Sequence, residues 1–520
     1  MSWEAEVEEL RRRRELARAL GGTERVARQR ADGKLTVRER IERLVDKDSF
    51  QEFGALTGAG TYVDGRLEKI TPAPYVMGLA RIDGRPVAVG GEDFTVRGGS
   101  SAGLDRRKGG QGGFVEDLAH EYRVPLVNLV DGAGGSVRTV ARTGHAHLPG
   151  ADTFARSVAL LDRVPVIGAV LGSSAGGPAA RAVLSHFSVM VEGTSHLFSA
   201  GPAVAERALG ERLTKDELGG ADVAVDAGGA IHNRVAGEDE ALAQVRRVLG
   251  YLPSNVWELP PRVAADDPAD RREEALLAIV PRNRRRMYDM RRLIGHVVDR
   301  DSLFEVRPTY GRTVITALAR LDGYVVGVVA NNPMHYGGAL DAPGARKMEH
   351  FVEVCDTFHV PLVFFVDTPG FMIGRAAELA GTLPAGARAL WAAQQATVPK
   401  VSVIVRKCYG MGGMVPTATD PLALRLAWPS AEWGSLPIEG GVAVAYRREI
   451  AAAADPAKRQ QEIEEELRAL NSPWRTAEAF GVEDIIDPRA TRPLLCRLIE
   501  VAQGALRGGL GPKTRAGVRP

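Results

Sequence analysis

The stretch Val164–Ala179, VPVIGAVLGSSAGGPA, decides the fold. Its apolar, β-branched run predicts a buried strand, and the glycines that end it predict a sharp turn. A glycine at such a turn places no side chain between the backbone and a ligand. Two backbone N–H groups aimed at one point there make an oxyanion hole. One Gly-rich turn after a strand is weak evidence, because tight turns use glycine for many reasons. An echo at Val398–Val415, VPKVSVIVRKCYGMGGMV, adds weight to the reading.

The echo belongs to a longer internal repeat. Ala80-Arg81-Ile82-Asp83-Gly84 returns as Ala319-Arg320-Leu321-Asp322-Gly323, and Gly98-Gly99 returns as Gly337-Gly338, both 239 positions later. Arg107-Lys108 matches Arg346-Lys347 at the same offset, while Val124–Val127 matches Val360–Val363, Asp131 matches Asp367 and Gly176-Gly177 falls on Gly412-Gly413 at 236. That period is far too long for a solenoid, so the chain is read as two folded domains of one kind. Within each half, strand-like runs alternate with helical ones, which predicts an α/β layered fold with ligands at the carboxyl ends of the strands. The glycine clusters lie at those ends. Residues 253–270, PSNVWELPPRVAADDPAD, read as a linker, giving domains at 1–260 and 261–520. Residues 1–50 read as charged amphipathic helices, a packing arm or subunit contact.

Composition bounds the function. The chain has 520 residues, enough for two or more substantial cores. A net charge of +2 argues against bulk nucleic-acid binding. Three cysteines, Cys355, Cys408 and Cys496, form no CxxC pair and no disulfide framework, so a reducing cytoplasm is expected. The N-terminus lacks the apolar core of a signal peptide, and no apolar run reaches the ~18 residues of a membrane span.

Side-chain chemistry is sparse. No GxSxG elbow or cysteine-nucleophile signature is present, and no Ser-His-Asp or Cys-His context is expected. Cys408, beside the second glycine turn, is read as a buried structural thiol. His145 and His147 have no companion acidic motif, and no metal site is expected. His232 is read as structural, with ligand contact the alternative. Asp131 and Asp367, each ending a central strand, are expected to orient turn backbones or helix N-termini rather than act as bases. Neither a Walker motif nor a GxGxxG fingerprint occurs. Paired backbone holes with few acid/base groups suit a reaction in which two carbonyl-derived anions are held and the proton carrier comes from elsewhere.

In its motifs the sequence resembles the carboxyltransferase (β) subunits of biotin-dependent acyl-CoA carboxylases, the propionyl-CoA and methylcrotonyl-CoA carboxylase group. The resemblance runs over about residues 5–520. It rests on RERIERLVDKDSF, EDFTVRGGS, the AGG at Ala175–Gly177, ELGGA with AIHN, and GYLPSN. In the second half it rests on ANNPMHYGGALD, FVDTPGF, GARALWAAQQATVPKVSVIVRKCYG and AWPSAEWG with EGG. It implies two tandem crotonase-like β/α superhelical domains and a homohexamer in which an N domain faces the C domain of another subunit. It further implies carboxyl transfer from carboxybiotin to an acyl-CoA through a thioester enolate. The N domain would take the acyl-CoA, its enolate oxygen held at Gly176 and Gly177. The C domain would hold the biotin ureido oxygen at Gly410-Met411-Gly412. Gly98, Gly99, Ser100, Gly134, Gly135 and Ala175, with Gly413 and Met414, would line the substrates. No Met-Lys-Met biotinylation motif is present, which implies that biotin rides on a separate biotin carboxylase/carrier (α) subunit.

Two departures bear on the acyl group. Where the family usually has Asp-Ser-Gly-Gly-Ala-Arg after the first central strand, Asp131 is followed here by Gly-Ala-Gly-Gly-Ser; and Met411 fills the middle of the C-terminal turn. The alternatives at this stage are a biotin-dependent decarboxylase running the transfer backwards and a biotin-independent crotonase-like acyl-CoA enzyme. The latter would need a side-chain acid or base near Gly176.

Overall fold

A computed structural model of the chain describes residues 2–100, 108, 113–137, 140–141, 144–146, 148, 154–284, 286–417 and 423–513. Arg107 of the repeat, Ser101–Gly103 and His147 lie outside the described residues. The chain divides into two compact units, Met1–Glu258 with Gly511–Pro520, and Leu259–Leu510. The boundary falls within 253–270, which carries neither helix nor strand. Gly511 returns to the first unit, where its N–H donates to the Val256 carbonyl at 2.7 Å. No helix of the described residues is long and apolar enough to cross a membrane.

In the first unit the strands are β1 (Gln51–Phe53), β2 (Gly58–Val63), β3 (Arg66–Pro72), β4 (Tyr75–Ile82), β5 (Arg85–Glu92), β6 (Leu126–Val130), β7 (Val166–Val170), β8 (Ser173–Ala175), β9 (Phe187–Val191), β10 (His196–Phe198) and β11 (Asn233–Val235). Seven of them form one sheet in the order β1-β4-β5-β6-β7-β9-β11, and β8 pairs with β10 in a separate two-stranded sheet. β4 and β5 form an antiparallel hairpin, whereas β5 through β11 pair in parallel. The hairpin turns on Asp83 (φ 50°) and Gly84 (φ 79°), the positive-φ pair of a type I′ turn. Asp46 accepts from both of their N–H groups, at 2.9 and 2.8 Å. Every residue of β6, β7 and β9 is buried. Parallel strands covered on both faces read as unbroken apolar runs, which is why Val164–Val170 is legible.

The second unit holds β12 (Phe304–Val306), β13 (Val314–Leu321), β14 (Tyr324–Asn331), β15 (Leu362–Thr368), β16 (Lys400–Tyr409), β17 (Ala423–Ala427), β18 (Glu432–Gly434) and β19 (Asp484–Ile485). Its sheet runs β12-β13-β14-β15-β16-β17-β19, with β18 also pairing with β16. The connection pattern is that of the first unit, and so is the detail. Asp322 (φ 50°) and Gly323 (φ 75°) make the hairpin turn, with Asp299 accepting from their N–H groups at 3.0 and 2.8 Å. The repeated Gly-Gly pair has one cause in both copies. A Cβ on Gly99 would stand 2.6 Å from the Asp131 carbonyl oxygen, and one on Gly338 would stand 2.2 Å from that of Asp367.

His186 precedes β9 and is 2% exposed. Its Nδ1 accepts from the Val166 N–H and its Nε2 lies 2.9 Å from the Leu161 carbonyl. Burial pulls its pKa down to about 4 from an ordinary 6.5. The unfolded chain therefore binds a proton between those values that the folded chain refuses, and stability falls as pH drops through that window. The full cost, reached below both values, is about 3 kcal/mol. Urea midpoints measured across pH 7 to 4 are expected to fall more steeply for the wild type than for His186→Gln.

Candidate active site

Three turns of the first unit meet at the carboxyl ends of β5, β6 and β7. In the first, Gly98 (φ 64°) and Gly99 (φ 70°) fold back over Asp131 and Gly132. The Ala133 N–H donates to the Gly98 carbonyl at 2.9 Å, and the Ser100 hydroxyl donates to the Gly134 carbonyl. The second turn, Gly132–Gly135, lies over the third. A Cβ on Gly134 (φ 77°) would stand 2.5 Å from the Ala175 carbonyl oxygen, and the Ala175 N–H donates to the Gly132 carbonyl at 3.1 Å.

The third turn is the Gly176-Gly177 step. Gly176 has φ 62° and ψ −124° and caps the helix Gly177–Val183. That backbone region is open to glycine and strained for other residues, although a Cβ there would meet nothing within 4 Å. The dihedral, not crowding, demands glycine. Helix-start N–H groups have no intrahelical acceptor, and Pro178 has no N–H at all. The donors left at this start include the exposed Gly176 and the half-buried Gly177. Six of the expected site residues thus gather around Gly176: Gly98, Gly99, Ser100, Gly134, Ala175 and Gly177. Gly135 is exposed, and a Cβ on it would meet nothing within 4 Å.

The second unit repeats the device. Gly410 has φ 56° and opens the short helix Gly410–Met414. Val164-Pro165 and Val398-Pro399 stand 234 apart, and so do Gly176 and Gly410. Gly410, rather than Gly412, is therefore the counterpart of Gly176, a correction to the offset of 236. A Cβ on Gly370 (φ 120°) would lie 3.4 Å from the Tyr409 carbonyl, as Gly134 lies over Ala175. A Cβ on Gly412 would come within 2.6 to 2.9 Å of the Gly370 backbone, and one on Gly413 within 2.8 Å of the Cys408 sulfur. Met411 and Met414 are exposed. Because backbone cannot move out of the way as a side chain can, Gly412→Ala is expected to displace the Gly370 loop and lower turnover at this turn at least about tenfold; steady-state rates check this.

Buried charges anchor these turns, and sequence reading missed most of them. Asp131 accepts from Lys34 Nζ at 3.1 Å and Arg40 Nη1 at 2.9 Å. Arg40 also donates to Glu238 at 2.8 and 2.7 Å and to the Leu171 carbonyl at 2.7 Å. Lys34 and Arg40 come from the N-terminal arm, so this arm reaches the site turn through charge as well as packing. Asp131 binds side-chain cations rather than the turn backbone expected of it. On the opposite side Arg181, in the helix that Gly176 caps, pairs with Glu92, and Glu92 accepts the Asp131 N–H at 3.2 Å. In the second unit Asp367 takes Arg406 at 2.9 Å and the Lys407 N–H at 3.2 Å.

Other expectations fare as follows. Burial pushes the Cys408 thiol up to about 12, which suits the structural role assigned to it. His232 is 1% exposed and accepts from the Ser188 N–H at 3.0 Å, a structural histidine. Ser173 Oγ lies 2.9 Å from His196 Nδ1, and His196 Nε2 lies 3.2 Å from Asp216 Oδ1. The three residues share no local motif. The parallel pairing of β8 with β10 sets His196 opposite Ser173, and the helix Lys215–Gly219 carries Asp216 to the ring.

The carboxyl transferase domain model matches residues 28–515. The chain is 37% identical over 497 residues to the carboxyltransferase subunit of propionyl-CoA carboxylase from Haloferax mediterranei, covering 95% of each chain. It is 35% identical over 480 residues to the alpha subunit of methylmalonyl-CoA decarboxylase from Veillonella parvula, covering 92% of this chain and 91% of that one. Among solved structures it superposes on one chain of transcarboxylase 12S, solved as a hexamer with methylmalonyl-CoA and methylmalonic acid bound, with a TM-score of 0.88, 33% identity and coverage of 100% of this chain and 98% of that one. That likeness makes the two units the tandem crotonase-like domains of such enzymes. The duplicated sheet, the two glycine turns and the match along nearly the whole chain agree: this protein belongs to the carboxyl transferase family, the carboxyltransferases of biotin-dependent acyl-CoA carboxylases.

Proposed function

We propose that this chain transfers a carboxyl group between biotin, carried on a separate protein, and the α- or vinylogous γ-carbon of an acyl-CoA. The observation that carries the reading is the pair of matched glycine turns, one at Gly176 and one at Gly410, in a chain of this family. The first unit is the acyl-CoA side. The N–H groups of Gly176 and Gly177 take the thioester oxygen and gain strength as it becomes an enolate oxygen, while Gly98, Gly99, Ser100 and Gly134 hold the turn beneath it. The second unit is the biotin side, and its cradle suits a compact acceptor: backbone N–H groups at a helix start, with glycines where a Cβ would strike Gly370. Gly410, Met411 and Gly412 would hold the ureido oxygen there, with Gly413 and Met414 as substrate-binding residues. Bound at that place, carboxybiotin supplies the carboxyl group and a base for the substrate α-proton.

The carrier is a separate α-type subunit. A hexamer is supported by the likeness to the 12S hexamer, and a cytoplasmic location by the three unpaired cysteines. The likeness to a decarboxylase subunit supports the reverse direction as a second reading. The test is turnover of malonyl-, methylmalonyl- and methylcrotonyl-type CoA thioesters by the purified chain, with and without free biotin and then with a carboxylated carrier protein. Biotin-dependent loss or gain of the carboxyl group is expected. Carboxyl turnover that ignores biotin and carrier would overturn the assignment.

A further inference from the structure

The second unit carries a run of arginines that the turn chemistry does not use. Residues 281–292 read PRNRRRMYDMRR, six arginines against one aspartate in a chain whose net charge is only +2. The backbone of this run is tied to the scaffold of the second glycine turn. Arg406 Nη1 donates to the Arg286 carbonyl at 2.9 Å and reaches the Arg284 carbonyl at 3.5 Å, while the same guanidinium holds Asp367 at 2.9 Å. The Arg284 side chain pairs with Glu432 at 2.7 Å and stays 59% exposed. Glu432 stands opposite Lys407 where β18 pairs with β16, and Gly434 stands opposite Tyr409, the residue before Gly410. The run therefore borders the strand end from which the second turn departs. Arg282 and Arg286 are exposed, and neither makes an ion pair among the described residues. Arg282 and Arg284 also line a cavity of about 420 Å³, whose other walls include Leu276, Leu277, Val280 and Trp428.

We infer that Arg282, Arg284 and Arg286 form a docking strip for the biotin carrier, which meets it with an acidic face and seats an apolar side chain in the cavity. The inference rests on the reading of the Gly410 turn as the biotin side. A carrier that delivers biotin to that turn must itself rest beside it, and this strongly basic run is tied there through Arg406 and Glu432. Its chemistry fits an acidic partner. A guanidinium offers carboxylates a planar fork of donors, and arginine clusters are a recurring means of holding acidic segments. The apolar recess beside the cations adds a contact that charge alone lacks, so the strip selects more than net charge. Opposite charges across such a contact speed encounter and fix orientation, and salt weakens both effects.

The test uses the full chain and two fluorescently labelled peptides, each with one biotinyl-lysine and one leucine, flanked by glutamates in one and by glutamines in the other. Fluorescence anisotropy gives their Kd. Carboxyl loss from malonyl-, methylmalonyl- and methylcrotonyl-type CoA thioesters is measured in parallel, with free biotin and with each peptide as acceptor. The glutamate peptide is expected to bind at least about fivefold more tightly than the glutamine peptide. That advantage should vanish at about 1 M salt, where screening acts within about 3 Å. Arg282→Gln combined with Arg286→Gln should also remove it, leaving the Kd of the glutamine peptide unchanged; both residues are exposed, so the variant keeps its core. Equal binding of the two peptides, or an undiminished preference in the double variant, overturns the strip, while free-biotin turnover leaves the biotin reading standing. A single-stranded oligonucleotide bound as tightly as the glutamate peptide shows a general polyanion surface and overturns the carrier assignment. If no thioester loses its carboxyl group to free biotin or to either peptide, the biotin reading fails and the inference with it.

Discussion

Gly176→Pro is expected to lower carboxyl transfer by at least about 10²- to 10³-fold, the loss seen when one oxyanion-hole donor is removed. Two independent effects combine. Proline has no N–H, so a donor disappears, and its ring holds φ near −65°, whereas Gly176 has φ 62°. The turn must flip, carrying the Gly177 N–H away from its target. Gly176→Ala separates these effects. It keeps the N–H, and its Cβ meets nothing within 4 Å, so only the dihedral is penalised. A strain of about 1 to 3 kcal/mol is expected, with an intermediate loss of rate. Initial rates at saturating acyl-CoA, alongside thermal unfolding to show that each variant is folded, decide the matter. Wild-type transfer by Gly176→Pro would show that this turn does not hold the reacting oxygen.

Arg40→Met is expected to cost about 3 to 5 kcal/mol of stability, the scale for breaking a buried ion pair from one side. Arg40 is fully buried and holds two carboxylates at once, Asp131 at 2.9 Å and Glu238 at 2.7 Å. Without it Asp131 keeps Lys34 at 3.1 Å, while Glu238 keeps the Leu35 N–H at 3.3 Å. Arg40→Lys should recover little, since an ammonium lacks the planar fork that reaches Asp131, Glu238 and the Leu171 carbonyl together. Arg40→Met combined with Glu238→Gln should be less damaging than Arg40→Met alone, because an unpaired buried charge costs more than a missing pair. Urea unfolding measures all three. The same variants should slow transfer, because Asp131 leads directly into the loop that lies over Ala175.

Much of this site was legible from the residues alone. Gly98-Gly99 and Gly337-Gly338, the Asp-Gly hairpin turns and the glycine after each long apolar strand all announce backbone conformations. A glycine's preference for positive φ is local and leaves its mark at one position. Even so, the offset of 236 placed Gly176 on Gly412, because a run of glycines aligns equally well in several registers. The positive φ that Gly176 shares with Gly410, at the 234 offset of the two Val-Pro pairs, settled the match. The buried charges were illegible for a different reason. Arg40 lies 91 residues from Asp131 and 198 from Glu238, and nothing near any of them marks the partner.

By itself, then, the amino-acid order determined the elements, their duplication, the turns that bare the backbone and the family. Each follows from neighbours in the chain: hydrophobic period, glycine at strand ends, and repeated short motifs. Tertiary structure decided which side chains serve those turns. Ser173 and His196 stand 23 residues apart, and His196 and Asp216 stand 20 apart. They meet only when β8 pairs with β10 and the helix Lys215–Gly219 comes up to His196, because hydrogen bonds of about 3 Å depend on distances in space that sequence separation does not encode.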